Sequence, residues 1–81
     1  MTAPHLSPRQ ALVLAAAADG VPLSAVATRL GTTRTQVASR LSEAYRALDV
    51  LWLPRDERRA EAVRVARRHG LIPAAEQREA A

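Results

Sequence analysis

Cysteine, phenylalanine and lysine are all absent from the chain. Without cysteine there are no disulfides, no thiolate nucleophile and no thiolate metal site. Without phenylalanine, and with one Trp and one Tyr, the core must come from Leu, Val and Ala. Alanine is also the strongest helix former. No apolar run approaches the roughly 20 residues that span a bilayer. Met1-Thr2-Ala3-Pro4-His5 lacks a basic segment followed by an apolar one, so no secretory signal is visible and the expected compartment is the cytoplasm. No strand pattern, hairpin dipeptide or internal repeat is present. At 81 residues the chain has the length of one small domain with a modest core.

The lack of lysine means that all 12 basic residues are Arg, set against 8 acids for a net charge of +4. Arg suits phosphates and base edges. A coding sequence rich in G and C would also enrich Arg and Ala, whatever the function. Position along the chain is more informative. Residues 1–48 hold five Arg and two acids, whereas residues 49–81 hold seven Arg and six acids. The first part is the more one-sidedly basic.

What is present is punctuation for four helices. Ser7-Pro8-Arg9-Gln10 reads as a capping box with Pro at the first helical position, preceded by Leu6 as a hydrophobic staple. The first helix should run from about Pro8 to Ala18 and end at Asp19-Gly20. Val21-Pro22-Leu23 opens a short second helix with Val26, Ala27 and Leu30 at helical spacing and Gly31 as its left-handed stop. Thr33-Arg34-Thr35-Gln36 is a second capping box. It starts a third helix from about Arg34 to Leu48, with Val37, Leu41, Ala44 and Leu48 as the buried stripe and Tyr45 alongside. After the apolar connector Asp49–Pro54, a fourth helix from about Pro54 or Arg55 to His69 has acids at its start and Arg67, Arg68 and His69 at its end, matching the helix dipole. The expected organisation is an N-terminal arm (1–5), a helical domain (6–72) with an apolar insert at 51–54, and a flexible tail (73–81).

Two helices joined by a short Gly-containing link, the second one capped, describe a helix-turn-helix. The face of the third helix opposite its buried stripe holds Arg34, Thr35, Ala38, Ser39, Ser42 and Arg46, with no acid and no large apolar group. Small residues there let the backbone approach base edges. Ser donates or accepts, and an Ala methyl touches a thymine methyl. Thr33 and Gln36 sit at the helix start, where free N–H groups meet phosphate. Arg40 lies on one flank, aimed towards a phosphate strand. Glu43 lies on the other, placed to pair with Arg40 or Arg46 along the helix. The competing reading is an ordinary solvated face.

Residues 6–50 and 60–72 resemble the LuxR/GerE-type DNA-binding domain of bacterial transcriptional regulators. Leu6-Ser7-Pro8-Arg9-Gln10 stands where that family has Leu-Thr-Pro-Arg-Glu. Val13-Leu14, Gly20, Val26-Ala27 and Arg29-Leu30-Gly31 follow in order. Thr33 to Leu41 matches the recognition segment Ser-x-x-Thr-Val-Lys-x-His-Val, Tyr45 to Val50 resembles Tyr-x-Lys-Leu-Gly-Val, and Ala60–Val63 through Arg68–Ile72 is similar to the fourth helix. The resemblance implies an all-α, four-helix domain with the third helix in the major groove of double-stranded DNA. The implied contacts are Thr33, Arg34, Thr35, Gln36, Ala38, Ser39, Arg40, Ser42 and Arg46. Ala38 stands where the family carries a basic residue and Arg40 where it has His; the latter exchange also resembles the fourth region of bacterial sigma factors. About six residues are inserted before the fourth helix.

The insert carries Trp52. It either folds onto the core or forms a partner patch, since Trp is enriched in interaction hot spots. Family members often pair through the fourth helix, so Leu51, Trp52, Leu53 and Val63 are the expected homodimer or partner surface. His5 and His69 have no second ligand at metal spacing, and Ser24, Ser39 and Ser42 have no His/Asp relay. Neither a metal, a cofactor nor an enzymatic activity is expected. The fourth helix, with interleaved acids, does not read as a membrane helix. The sequence thus points to a stand-alone transcriptional regulator. The rival is a protein-interaction module on a helix-turn-helix scaffold, binding RNA polymerase or another regulator through Trp52 and the fourth helix.

Overall fold

In the computed structural model, described over residues 4–74, the chain is all-helical with four helices. Residues 1–3 of the expected arm and 75–81 of the expected tail lie outside the described residues. The helices are α1 (Pro8–Ala16), α2 (Leu23–Leu30), α3 (Arg34–Ala47) and α4 (Arg55–Arg68).

The start of α1 is a complete capping box. Ser7 Oγ accepts from the Gln10 backbone N–H at 3.1 Å, and the Ser7 N–H donates to Gln10 Oε1 at 3.0 Å. The helix stops at Ala16, two residues short of the sequence expectation. Its last turn tightens: the Ala17 N–H is shared between the Val13 and Leu14 carbonyls at 3.0 and 3.2 Å, and the Ala18 N–H reaches only three residues back, to Ala15 at 3.2 Å. At α3 only half of the second box forms. Thr33 Oγ1 accepts from the Gln36 N–H at 3.1 Å, while the Gln36 side chain stays exposed and does not return the bond.

The link between α2 and α3 depends on Gly31. It sits at φ 66° and ψ 37°, and the Thr32 N–H closes back onto the Ala27 carbonyl at 3.0 Å. That left-handed residue is what allows α3 to begin at Arg34. The end of α3 uses the same device without glycine. Asp49 adopts φ 60°, and the Asp49 and Val50 N–H groups bond to the Arg46 and Tyr45 carbonyls at 3.2 and 3.0 Å.

α3 is the central helix, packed on α1, α2 and α4, and α1 also touches α2 and α4. Its stripe Val37, Leu41, Ala44 and Leu48 is buried as the spacing predicts. Leu6, Val13, Leu14 and Ala17 join it from the α1 side, Val26 and Ala27 from α2, and Ala62, Val63 and Ala66 from α4. Val50 and Ile72 complete the core from the connectors. Each fully buried Leu or Val contributes about 1.5–3 kcal/mol.

Two arginines tie the helices together across the α1–α2 bend. Arg29 donates to the Ala16 carbonyl at 3.0 Å and pairs with Asp19 at 3.0 Å. Arg59 of α4 donates to the Val21 carbonyl at 2.6 Å and the Ala17 carbonyl at 3.5 Å. Both supply donors to carbonyls in the bend between α1 and α2, Arg29 to Ala16 at the end of α1 and Arg59 chiefly to Val21 just before α2.

Candidate nucleic-acid interface

Because α3 buries the stripe Val37–Leu48, its opposite side is forced outward. Thr35, Ser39, Ser42 and Arg46 are exposed and form the outermost line. Thr33, Arg34 and Gln36 are exposed at the helix start. Ala38 and Arg40 are half-buried and sit on opposite flanks. The ridge stands between two clefts. One, of about 580 Å³, has Ala38, Ser42 and Tyr45 of α3 as one wall and Arg55, Asp56 and Arg59 of α4 as another. The other, of about 660 Å³, runs between Arg9 and Leu12 of α1, the Leu30–Thr33 turn, and Gln36 and Arg40 of α3.

The net charge of +4 conceals a division of labour among the arginines. Arg29 and Arg59 bind backbone carbonyls, as does Arg58, which donates to Leu53 at 2.9 Å. Arg64 pairs with Glu61 one turn earlier, and Arg67 donates to the Pro73 carbonyl at 3.3 Å. Among the described residues, Arg9, Arg34, Arg46, Arg55 and Arg68 make no hydrogen bond or ion pair. Two of these five, Arg34 and Arg46, lie at opposite ends of the α3 ridge.

Arg40 behaves differently from the other two α3 arginines. Its Nη1 lies 3.4 Å from Glu43 Oε1, the i,i+3 pairing that the sequence allows, which puts Glu43 on Arg40's own flank and not on the opposite one expected from the sequence. The same oxygen accepts from Gln10 Nε2 of α1 at 3.2 Å. These bonds hold the Glu43 carboxyl below its ordinary value, the Gln10 bond contributing most and Arg40 next. Nothing in the spacing of Gln10 identifies it as a neighbour of α3, because the contact joins residues 33 apart in sequence. Tyr45 is pushed above its ordinary value by burial, with Arg59 acting against the shift.

The expected partner patch divides. Trp52 is 75% exposed and Leu51 37% exposed, whereas Leu53 is half-buried against the core. Trp52 does not fold into the core; its Nε1–H donates to the Asp49 carbonyl at 2.8 Å, which fixes the indole against the turn. Val63 must be withdrawn from the partner surface. It is 5% exposed, because α4 turns Ala62, Val63 and Ala66 towards the core. Leu12 of α1, 58% exposed, is an apolar surface residue that the sequence did not single out.

Among the described residues no cluster of His, Asp and Glu has the grouping of a metal site. No described helix is long and apolar enough to cross a membrane. No family model matches the chain, and no curated protein or solved structure does so.

Proposed function

We propose that this protein is a sequence-specific DNA-binding transcriptional regulator of the LuxR/GerE type, acting in the cytoplasm with α3 laid in the major groove. The observation that carries this reading is the open ridge Thr35–Ser39–Ser42–Arg46, free of acids and of bulky apolar groups, at the end of a Gly31-turned helix pair. Arg34 and Arg46 sit at its two ends with their guanidinium groups unengaged by any described residue, as phosphate or guanine contacts require. Ser39 and Ser42 offer short donors and acceptors to base edges. Arg9, across the cleft from Gln36 and Arg40, adds a basic group beside the start of α3.

Phosphate neutralisation supplies most of the affinity, so binding weakens steeply with salt. The test is selection of bound duplexes from a random pool, followed by fluorescence anisotropy on enriched and scrambled sites across a salt series. Arg34→Ala is expected to cost about 1–3 kcal/mol on the enriched site if Arg34 reads a base. An equal loss on all sequences assigns it to the backbone. No duplex binding at low salt refutes the reading.

A second reading is favoured by one observation, the exposed and hydrogen-bonded Trp52. On that reading Leu51 and Trp52 form the docking point for RNA polymerase, another regulator or a second copy of the chain. A monomer by light scattering, with and without DNA, removes the homodimer.

A further inference from the structure

α3 carries one acid, Glu43, and the structure gives it two tasks at once. Its Oε1 accepts from Gln10 Nε2 at 3.2 Å and from Arg40 Nη1 at 3.4 Å. Gln10 is itself held by backbone. Its Oε1 accepts from the Ser7 N–H at 3.0 Å, and its own N–H donates to Ser7 Oγ at 3.1 Å. A continuous hydrogen-bonded chain therefore runs from the capping box of α1, through Gln10 and Glu43, to the Arg40 guanidinium. Arg34 and Arg46, the other two α3 arginines, have no such hydrogen-bonded tether; Arg46 acts on Glu43 only through space.

We propose that Glu43 is a positioning residue that lowers sequence-independent DNA affinity by keeping Arg40 engaged within the protein. The inference rests on the DNA-binding reading above. A phosphate approaching this flank must displace a carboxylate already in place, and that carboxylate is anchored to α1. The Arg40–phosphate contact thus replaces an existing ion pair. An Arg34 or Arg46 contact breaks no hydrogen bond or ion pair with a described residue, Arg46 acting on Glu43 only through space. Phosphate contacts carry no sequence information. Restraining one of them shortens the stay on random duplex and leaves the Ser39–Ser42 ridge unaltered. For a domain whose cations are all guanidinium groups, such a restraint limits non-specific retention.

The test measures anisotropy of the full chain with a labelled random-sequence duplex over a salt series. Wild type, Glu43→Gln, Arg40→Ala, the double variant, and Glu57→Gln are compared. Glu57→Gln removes an exposed acid from the first turn of α4 and reports the general effect of one charge. Glu43→Gln is expected to tighten binding roughly 2–5-fold, the scale of a part-exposed ion pair. It should also steepen the log–log salt slope by about one, as Arg40 takes up a phosphate. Glu57→Gln should do neither to that extent. In the Arg40→Ala background the effect of Glu43→Gln should shrink to that of Glu57→Gln. Equal effects of the two acid replacements, or a Glu43→Gln effect that survives loss of Arg40, overturn the proposal while leaving DNA binding intact. Failure of the wild type to bind either random or selected duplex overturns both.

Discussion

Asp49 is the one non-glycine residue at positive φ among the described residues, and replacing it should stabilise the protein. At φ 60° it occupies the left-handed region while completing the two hydrogen bonds that close α3. An ordinary L-residue there sacrifices about 1–2 kcal/mol, and aspartate somewhat less because its short polar chain tolerates the region. Its carboxylate also sits next to the carbonyl end of α3, where negative charge is unfavourable. Glycine removes both penalties but returns roughly 0.5–1 kcal/mol through the greater freedom of the unfolded chain. The net expectation for Asp49→Gly is a gain of about 0.5–1 kcal/mol, or a rise in Tm of about 3–6 °C for a domain of this size. Asp49→Asn isolates the charge, since it keeps the tolerance for positive φ and loses only the negative group. Thermal and urea unfolding followed by circular dichroism measure both variants. Trp52 fluorescence should not change in Asp49→Gly, because the indole bonds to the backbone carbonyl that glycine retains. If Asp49→Gly is no more stable than Asp49→Asn, the gain is electrostatic and the backbone argument is refuted.

Gly31→Ala is expected to cost about 1–2 kcal/mol, purely from conformation, because a Cβ there would meet nothing within 4 Å; an unchanged urea midpoint would show that the turn can relax. Trp52→Ala should alter stability by no more than about 0.5 kcal/mol, as expected for a mostly exposed side chain, and a loss above 1 kcal/mol would mean that the indole supports the connector. Asp19 is held below its ordinary value of 3.8, chiefly by its hydrogen bond to Arg29. A lowered carboxyl contributes stability that is present above the unfolded value and lost as pH falls through the folded one. Melting temperatures should therefore decline on acidification below about pH 4, and Asp19→Asn should flatten that decline; parallel curves for the two proteins would show that the Asp19–Arg29 pair is thermodynamically silent.

The helix boundaries were readable because their causes are local. Ser7 and Gln10, Thr33, Gly31 and Gly70 act on backbone groups within a few residues, and the spacing Val37–Leu41–Ala44–Leu48 needs only the helical period to define a buried side. The outer ridge of α3 follows by subtraction from that buried side, which places Thr35, Ser39, Ser42 and Arg46; Ala38, put on the same face by that rule, sits half-buried on a flank. The fourth helix was harder. Its apolar residues are few and small, and Val63, read from the sequence as part of the partner surface, is instead turned into the core. Nor does sequence reveal which arginines a partner can reach. All twelve carry the same charge, yet Arg29 and Arg59 are committed to carbonyls of the α1–α2 bend, those of Ala16 and Val21.

By itself, then, the amino-acid order determined four helices, the capping of α1, the Gly31 turn and the solvent side of α3, because each depends on hydrogen bonds and periodicity spanning at most a few turns. Only the tertiary structure decided that Gln10 meets Glu43, that Val63 is buried, and that Trp52 stands clear of the core. Those outcomes depend on how separately encoded helices approach one another. The packing of α1 and α4 on α3 brings together residues that no local rule connects.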